Sequence, residues 1–136
     1  MYNSNGIGLA AVQVGILKRI IVVDVSSKED KQKPLCFINP TIINLSNETS
    51  VYEEGCLSIP DTFIEIQRPR ICKVEYLDLD GNKKIREFDG LLSTCVQHEI
   101  NHLDGKLIID HLSKLKKDMI IKKISKIKKN PDRIIV

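Results

Sequence analysis

The chain has 136 residues, 42% hydrophobic and 29% charged, which is enough apolar material for one domain with a modest core and too much for a disordered segment. No apolar run approaches the roughly eighteen residues of a membrane-crossing helix, and the N-terminus lacks the basic start and apolar block of a secretory signal, so a cytoplasmic protein is expected. The net charge of +3 hides an asymmetry: residues 112–136 carry nine Lys/Arg and two Asp, a balance of +7 that leaves −4 on the rest, so a polyanionic partner is expected to meet the tail.

Taken in chain order, the segment Arg19 to Val25 is short and β-branched and reads as a buried strand. Leu35 to Leu45 reads as a second strand region, broken at Asn39-Pro40. Further strands are expected over Thr49 to Glu54 and Phe63 to Arg68. Residues 71–79 and 83–88 flank Asp80-Gly81-Asn82 and form a hairpin. Leu91 to Leu103 has apolar residues at helical spacing, and Gly105 is placed to stop it. A final amphipathic helix is expected from about Leu112 to Lys129, with Leu112, Leu115, Met119, Ile120, Ile124 and Ile127 on one face and lysines on the other. Asn130-Pro131 ends it. Strands first and helices later predict an α+β fold, a single domain over residues 1–136.

Three clusters carry chemistry. His98-Glu99-Ile100-Asn101-His102 falls on the predicted helix, where positions i and i+4 share a face. Both imidazoles can then hold one metal, with Glu99 beside them as a general base. Two polar histidines with no such role are the alternative. A catalytic metal needs a third protein ligand and an open position. His111 is one candidate, in the manner of zincin peptidases, although it falls in the next segment, past Gly105. Cys56, in Glu53-Glu-Gly-Cys-Leu-Ser-Ile-Pro60, is the better one, because Gly55 permits unusual backbone angles and Pro60 restrains the chain that follows. An inert buried thiol is its alternative reading, and it is the reading adopted for Cys36 and Cys72. The third cluster is Gly6-Ile-Gly-Leu-Ala-Ala-Val-Gln13. No strand precedes it, so it is no dinucleotide fingerprint. Its glycines allow close backbone approach to a ligand, and Gln13 can offer an amide hydrogen to a developing oxyanion.

Taken together and in this order, Gly6–Gln13, Glu54-Gly-Cys-Leu-Ser58 and Gln97-His-Glu-Ile-Asn-His102 resemble the three motifs of the peptide deformylases. The resemblance runs from Gly6 to about Lys129 and implies antiparallel sheets packed around a central helix bearing the HExxH motif, with a C-terminal amphipathic helix. It implies one divalent metal on Cys56, His98 and His102, ferrous iron in the working enzyme, with zinc, nickel or cobalt as substitutes. Glu99 becomes the general acid/base, and the Leu57 N–H and the Gln13 side chain stabilise the oxyanion. The substrate is the N-formyl-methionyl end of a nascent peptide, paired with backbone at Ile7 and Gly8. Its methionine side chain lies near Ile7, Glu54, Gly55, Leu91, Thr94, Cys95 and His98. The basic last helix, about residues 112–130, implies contact with ribosomal RNA.

Three departures accompany the resemblance. Asn101 stands where the family commonly has Asp, and Thr94 where an apolar residue is common. The chain also starts close to the first motif, where family members usually carry an upstream helical segment. Apolar surface around Leu9, Ala10, Val12 and Val14 is therefore expected to be exposed or covered by another chain, and a low-activity relative is an alternative to a full enzyme. An HExxH peptidase using His111 is a second alternative.

Overall fold

The computed structural model describes residues 1–4, 6–26 and 31–124. Among these the strands are β1 (Gly8–Ala10), β2 (Ile20–Val23), β3 (Leu35–Leu45), β4 (Thr49–Cys56), β5 (Ile59–Pro69), β6 (Ile71–Leu77) and β7 (Lys83–Asp89). They are followed by α1 (Gly90–Leu103) and α2 (Lys114–Ile124), and 3₁₀ turns occupy Tyr2–Ser4, Ala11–Val14 and Ile108–His111. One sheet has the order β1-β2-β3-β6-β7 and the other pairs β4 with β5, all antiparallel. Antiparallel sheets with two helices agree with the α+β expectation.

The differences from the sequence reading have physical causes. β1 lies within the Gly6–Gln13 cluster, which carries no strand pattern of its own, and its pairing with β2, Gly8 opposite Val23, makes it a strand. β3 is one strand rather than two. Asn39, at φ 51°, and Pro40 are absorbed as a register shift between Ile38 and Thr41, since a bulge lets the ladder resume past a residue with no N–H to give. β4 and β5 extend further than expected and meet at a tight turn, with Cys56 opposite Ile59. The 71–88 hairpin is present, and Asp78 accepts the N–H groups of Asp80 and Asn82 at its turn.

Two apolar clusters flank the middle of α1. The larger gathers Ala10, Ile21, Phe37, Val74, Phe88, Cys95, Val96 and Ile100, with the Phe37 ring edge-on to Phe88 at 5.4 Å between centroids. The smaller gathers Cys56, Ile59, Ile64, Ile66, Ile108 and Ile109, with Leu112, Ile120 and Ile124 packed against it. Val96 and Ile100 are one turn apart and face the larger cluster, which turns His98 and His102 toward the small sheet. α2 is lightly held: Ile120 and Ile124 touch the smaller cluster, whereas Leu115 is 72% exposed. The expected stripe is thus only partly used, and the expected helix residues 125–129 lie outside the described residues. Near the start, Ala10 is fully buried, contrary to the expectation for it, while Val14 and Leu17 are exposed. No helix among the described residues is long and apolar enough to cross a membrane.

Candidate metal centre

Cys56, His98 and His102 converge, and their donor atoms all lie within 4.8 Å of one another. Cys56 Sγ is 3.1 Å from His102 Nε2, which is 3.1 Å from His98 Nε2. All three residues are buried. Two imidazole nitrogens this close need a shared proton or a cation between them, and the thiol completes a soft three-donor set suited to a transition metal. His111 is exposed and stands outside this group.

The surrounding residues fix the donors. Glu54, fully buried, accepts from His98 Nδ1 at 2.8 Å. It also takes a bidentate pair from Arg68, at 2.7 Å from Nε and 3.0 Å from Nη2. Burial would raise the Glu54 carboxyl, but the His98 and Arg68 hydrogen bonds and the Arg68 charge hold it below the usual carboxylate range. An ionised carboxylate only accepts, so the proton sits on His98 Nδ1 and the Nε2 lone pair faces the cluster. Burial lowers His98 despite Glu54, and pushes His102 down to about 4, helped by His98 and Arg68. Both imidazoles are therefore neutral at pH 7, the form in which they ligate. Burial pushes the Cys56 thiol up to about 11, against hydrogen bonds from the Ser58 and Ile59 backbone. A bound cation reverses that order, because a coordinating thiol is deprotonated.

Glu99 is the anomaly. It is fully buried, and neither carboxylate oxygen has a hydrogen-bond partner among the described residues. Burial, and after it the Glu54 charge, pushes it up to about 8. Its Oε1 is 4.0 Å from His98 Nε2, so an acid with nothing to bond stands at the edge of three inward-facing donors. Such an orphan calls for a cation or a water in the space it faces. The donor set and the orphan acid both fit a divalent metal.

Two glycines make room. A Cβ on Gly8 would lie 2.7 Å from Glu99 Oε1, and one on Gly55 would lie 2.5 Å from the Phe63 ring. Close approach, rather than a turn, explains glycine at both positions. Gln13 sits at the rim: its Oε1 accepts the Ala10 N–H at 2.8 Å, and its Nε2 lies 3.0 Å from Ser58 Oγ and 3.7 Å from Cys56 Sγ. Leu57, half-buried, occupies the adjoining turn. The Ile7 carbonyl accepts the Asp24 N–H, and β1 is the end strand of its sheet. On α1, Leu91 is 40% exposed, Thr94 is buried with its hydroxyl unpartnered among the described residues, and Cys95 belongs to the larger core. The sequence reading missed Arg68, and it placed Ser58 in a motif without giving it a role. Arg68 continues the buried face of Thr62, Ile64 and Ile66, and a charge on an apolar strand face is the signal that could have flagged it. It also donates to Asn101 Oδ1 at 2.7 Å, so this neutral residue keeps a hydrogen bond without adding a charge.

Residues 1–118 match the family described as polypeptide deformylase. A peptide deformylase of Pelagibacter ubique is 62% identical over 136 residues, all of this chain and 78% of that protein. One from Rhizobium meliloti is 53% identical over 126 residues, 93% of this chain and 72% of its own length. The crystal structure of peptide deformylase from Ehrlichia chaffeensis superposes with a TM-score of 0.85 at 44% identity, covering 93% of this chain and 75% of that one. A crystal structure of the Ehrlichia chaffeensis enzyme in complex with actinonin also gives 0.85, at 45% identity, over 93% of this chain and 76% of that one.

Proposed function

The chain belongs to the peptide deformylase family and removes the N-terminal formyl group from newly made polypeptides; from that premise we propose which of its residues do so. Cys56, His98 and His102 hold the divalent metal on which the family depends. The observation that carries this reading is three buried donors within 4.8 Å of one another beside a buried, unpartnered acid. When bound, the metal supplies Lewis acidity that makes water a nucleophile near neutral pH. Ferrous iron is the native occupant, and zinc, nickel or cobalt can replace it.

Glu99 accepts a proton from the attacking water and delivers it to the leaving amine nitrogen, so formate departs and a free N-terminus remains. Gln13 Nε2 and the Leu57 N–H donate to the oxygen of the formyl group as negative charge develops there. Glu54, held by Arg68, keeps the His98 ring in its tautomer. The peptide adds to the outer edge of β1 at Ile7 and Gly8, as an extended segment joins a sheet edge. Its methionine lies along Glu54, Gly55, Leu91, Thr94 and Cys95. The contacts of α1 with β1, β2, β4, β6 and β7 support reading it as the central element of one catalytic domain. The test is turnover of formyl-Met-Ala-Ser: Glu99→Gln keeps its metal and loses at least about a hundredfold in rate. A near-normal rate removes Glu99 from the scheme.

We also propose that this cytoplasmic enzyme meets the ribosome through the basic end of the chain. Lys122 and Lys123 lie in the last turn of α2, and Lys126, Lys128 and Lys129 fall outside the described residues. Phosphate contacts make such binding salt-dependent. Neutralising the five lysines then weakens ribosome co-sedimentation while leaving short-peptide turnover intact. Unchanged co-sedimentation at low salt rejects the docking.

A further inference from the structure

The turn between β4 and β5 carries a hydroxyl that the reaction scheme leaves unused. Ser58 is exposed, and its Oγ lies 3.0 Å from Gln13 Nε2 across 45 residues of sequence. The orientation of the Gln13 amide follows from its other end. The Ala10 N–H can only donate, and it lies 2.8 Å from Oε1, so Nε2 must face Ser58 and Cys56. A primary amide nitrogen has two hydrogens. Ser58 Oγ receives one. The other points toward Cys56 Sγ at 3.7 Å, a long contact to a weak acceptor. That second hydrogen is the one free to meet a substrate oxygen.

Resting on the oxyanion role proposed for Gln13, we infer that Ser58 is a positioning residue: its hydroxyl fixes one amide hydrogen of Gln13 so that the other is aimed at the formyl oxygen. Terminal amide torsions are broad when nothing constrains them, and a donor aimed in advance costs no reorganisation during reaction. The 3.4 Å bond to Cys56 Sγ comes from the Ser58 backbone N–H and survives any side-chain change, while the Ser58 hydroxyl also interacts with the Cys56 thiol. An exposed hydroxyl contributes little to folding. Bound metal, measured beside kcat, therefore separates the hydroxyl's action on Gln13 from its action on Cys56.

The experiment uses the full chain loaded with metal and formyl-Met-Ala-Ser as substrate. Ser58→Ala, Ser58→Thr, Gln13→Ala and the Ser58→Ala/Gln13→Ala pair are compared for kcat, KM and bound metal. Ser58→Ala lowers kcat about tenfold, a fraction of what losing an oxyanion donor costs, with KM and metal content unchanged. Ser58→Thr restores the rate because it restores the hydroxyl. In the Gln13→Ala background, Ser58→Ala adds no further loss. A silent Ser58→Ala, a change confined to KM, lost metal, failed rescue by Thr, or a full additional loss in the pair overturns the assignment. If Gln13→Ala is itself silent, the oxyanion reading fails as well. If Gln13→Ala is slow and the losses add, only the role of Ser58 fails.

Discussion

Glu99 gives the sharpest thermodynamic test, because its burial can be measured without any turnover. In the metal-free protein its carboxyl moves from 4.5 to about 8, through burial and then the charge of Glu54, and no hydrogen bond from the described residues offsets the cost. A carboxyl raised in the folded state gives stability that is complete below the unfolded value and is lost as pH climbs through the folded value. Between pH 4.5 and pH 7 the unfolded chain ionises this group while the folded chain keeps it protonated. The loss is roughly 3 kcal/mol by pH 7 and approaches roughly 5 kcal/mol above pH 8, at 1.36 kcal/mol per pH unit. That is a large part of ordinary domain stability. Glu99→Gln keeps the shape and removes the titration. Urea unfolding of both proteins in the presence of a chelator, at intervals from pH 5 to pH 8, isolates Glu99 in the difference curve, since His98, His102 and Cys56 titrate in both. The parent should lose stability relative to the variant as pH rises, and added divalent metal should shrink the difference by stabilising the carboxylate. Parallel curves would falsify the claim that an uncompensated carboxyl is buried there.

Other substitutions probe the remaining parts of the site. Cys56→Ser should sharply reduce bound metal per chain, because a hydroxyl ligates far more weakly than a thiolate, while His111→Ala should leave it unchanged; equal metal in Cys56→Ser and the parent rejects the ligand set. Arg68→Leu strands a buried Glu54 charge and should cost about 3–5 kcal/mol in chemical denaturation; a loss below about 1 kcal/mol means the pair is not desolvated as its geometry indicates. Gly8→Ala puts a methyl 2.7 Å from Glu99 Oε1, so turnover should fall by about a hundredfold as the carboxylate is displaced, with metal retained; parent-like kcat shows that Glu99 tolerates the shift.

Much of the site was legible in the chain because it rests on short-range rules. The spacing of His98 and His102 sets both imidazoles on one helix face whatever the fold, and Gly55-Cys56 beside Pro60 marks a constrained thiol. The β6–β7 hairpin follows from its turn residues. Long-range pairing decided the rest. β1 has three residues and no strand pattern, and it exists because β2 supplies its hydrogen bonds. The stripe on α2 implied deeper burial than Leu115 and Met119 receive, since periodicity gives a face but not the area available to cover it. Arg68 gains its meaning only when the turn at Leu57 and Ser58 folds β5 back along β4, opposite α1, and brings its guanidinium to Glu54 and Asn101. Local sequence determined which residues could be ligands and acids. Their charge states required the tertiary structure, because desolvation depends on every element packed around a group.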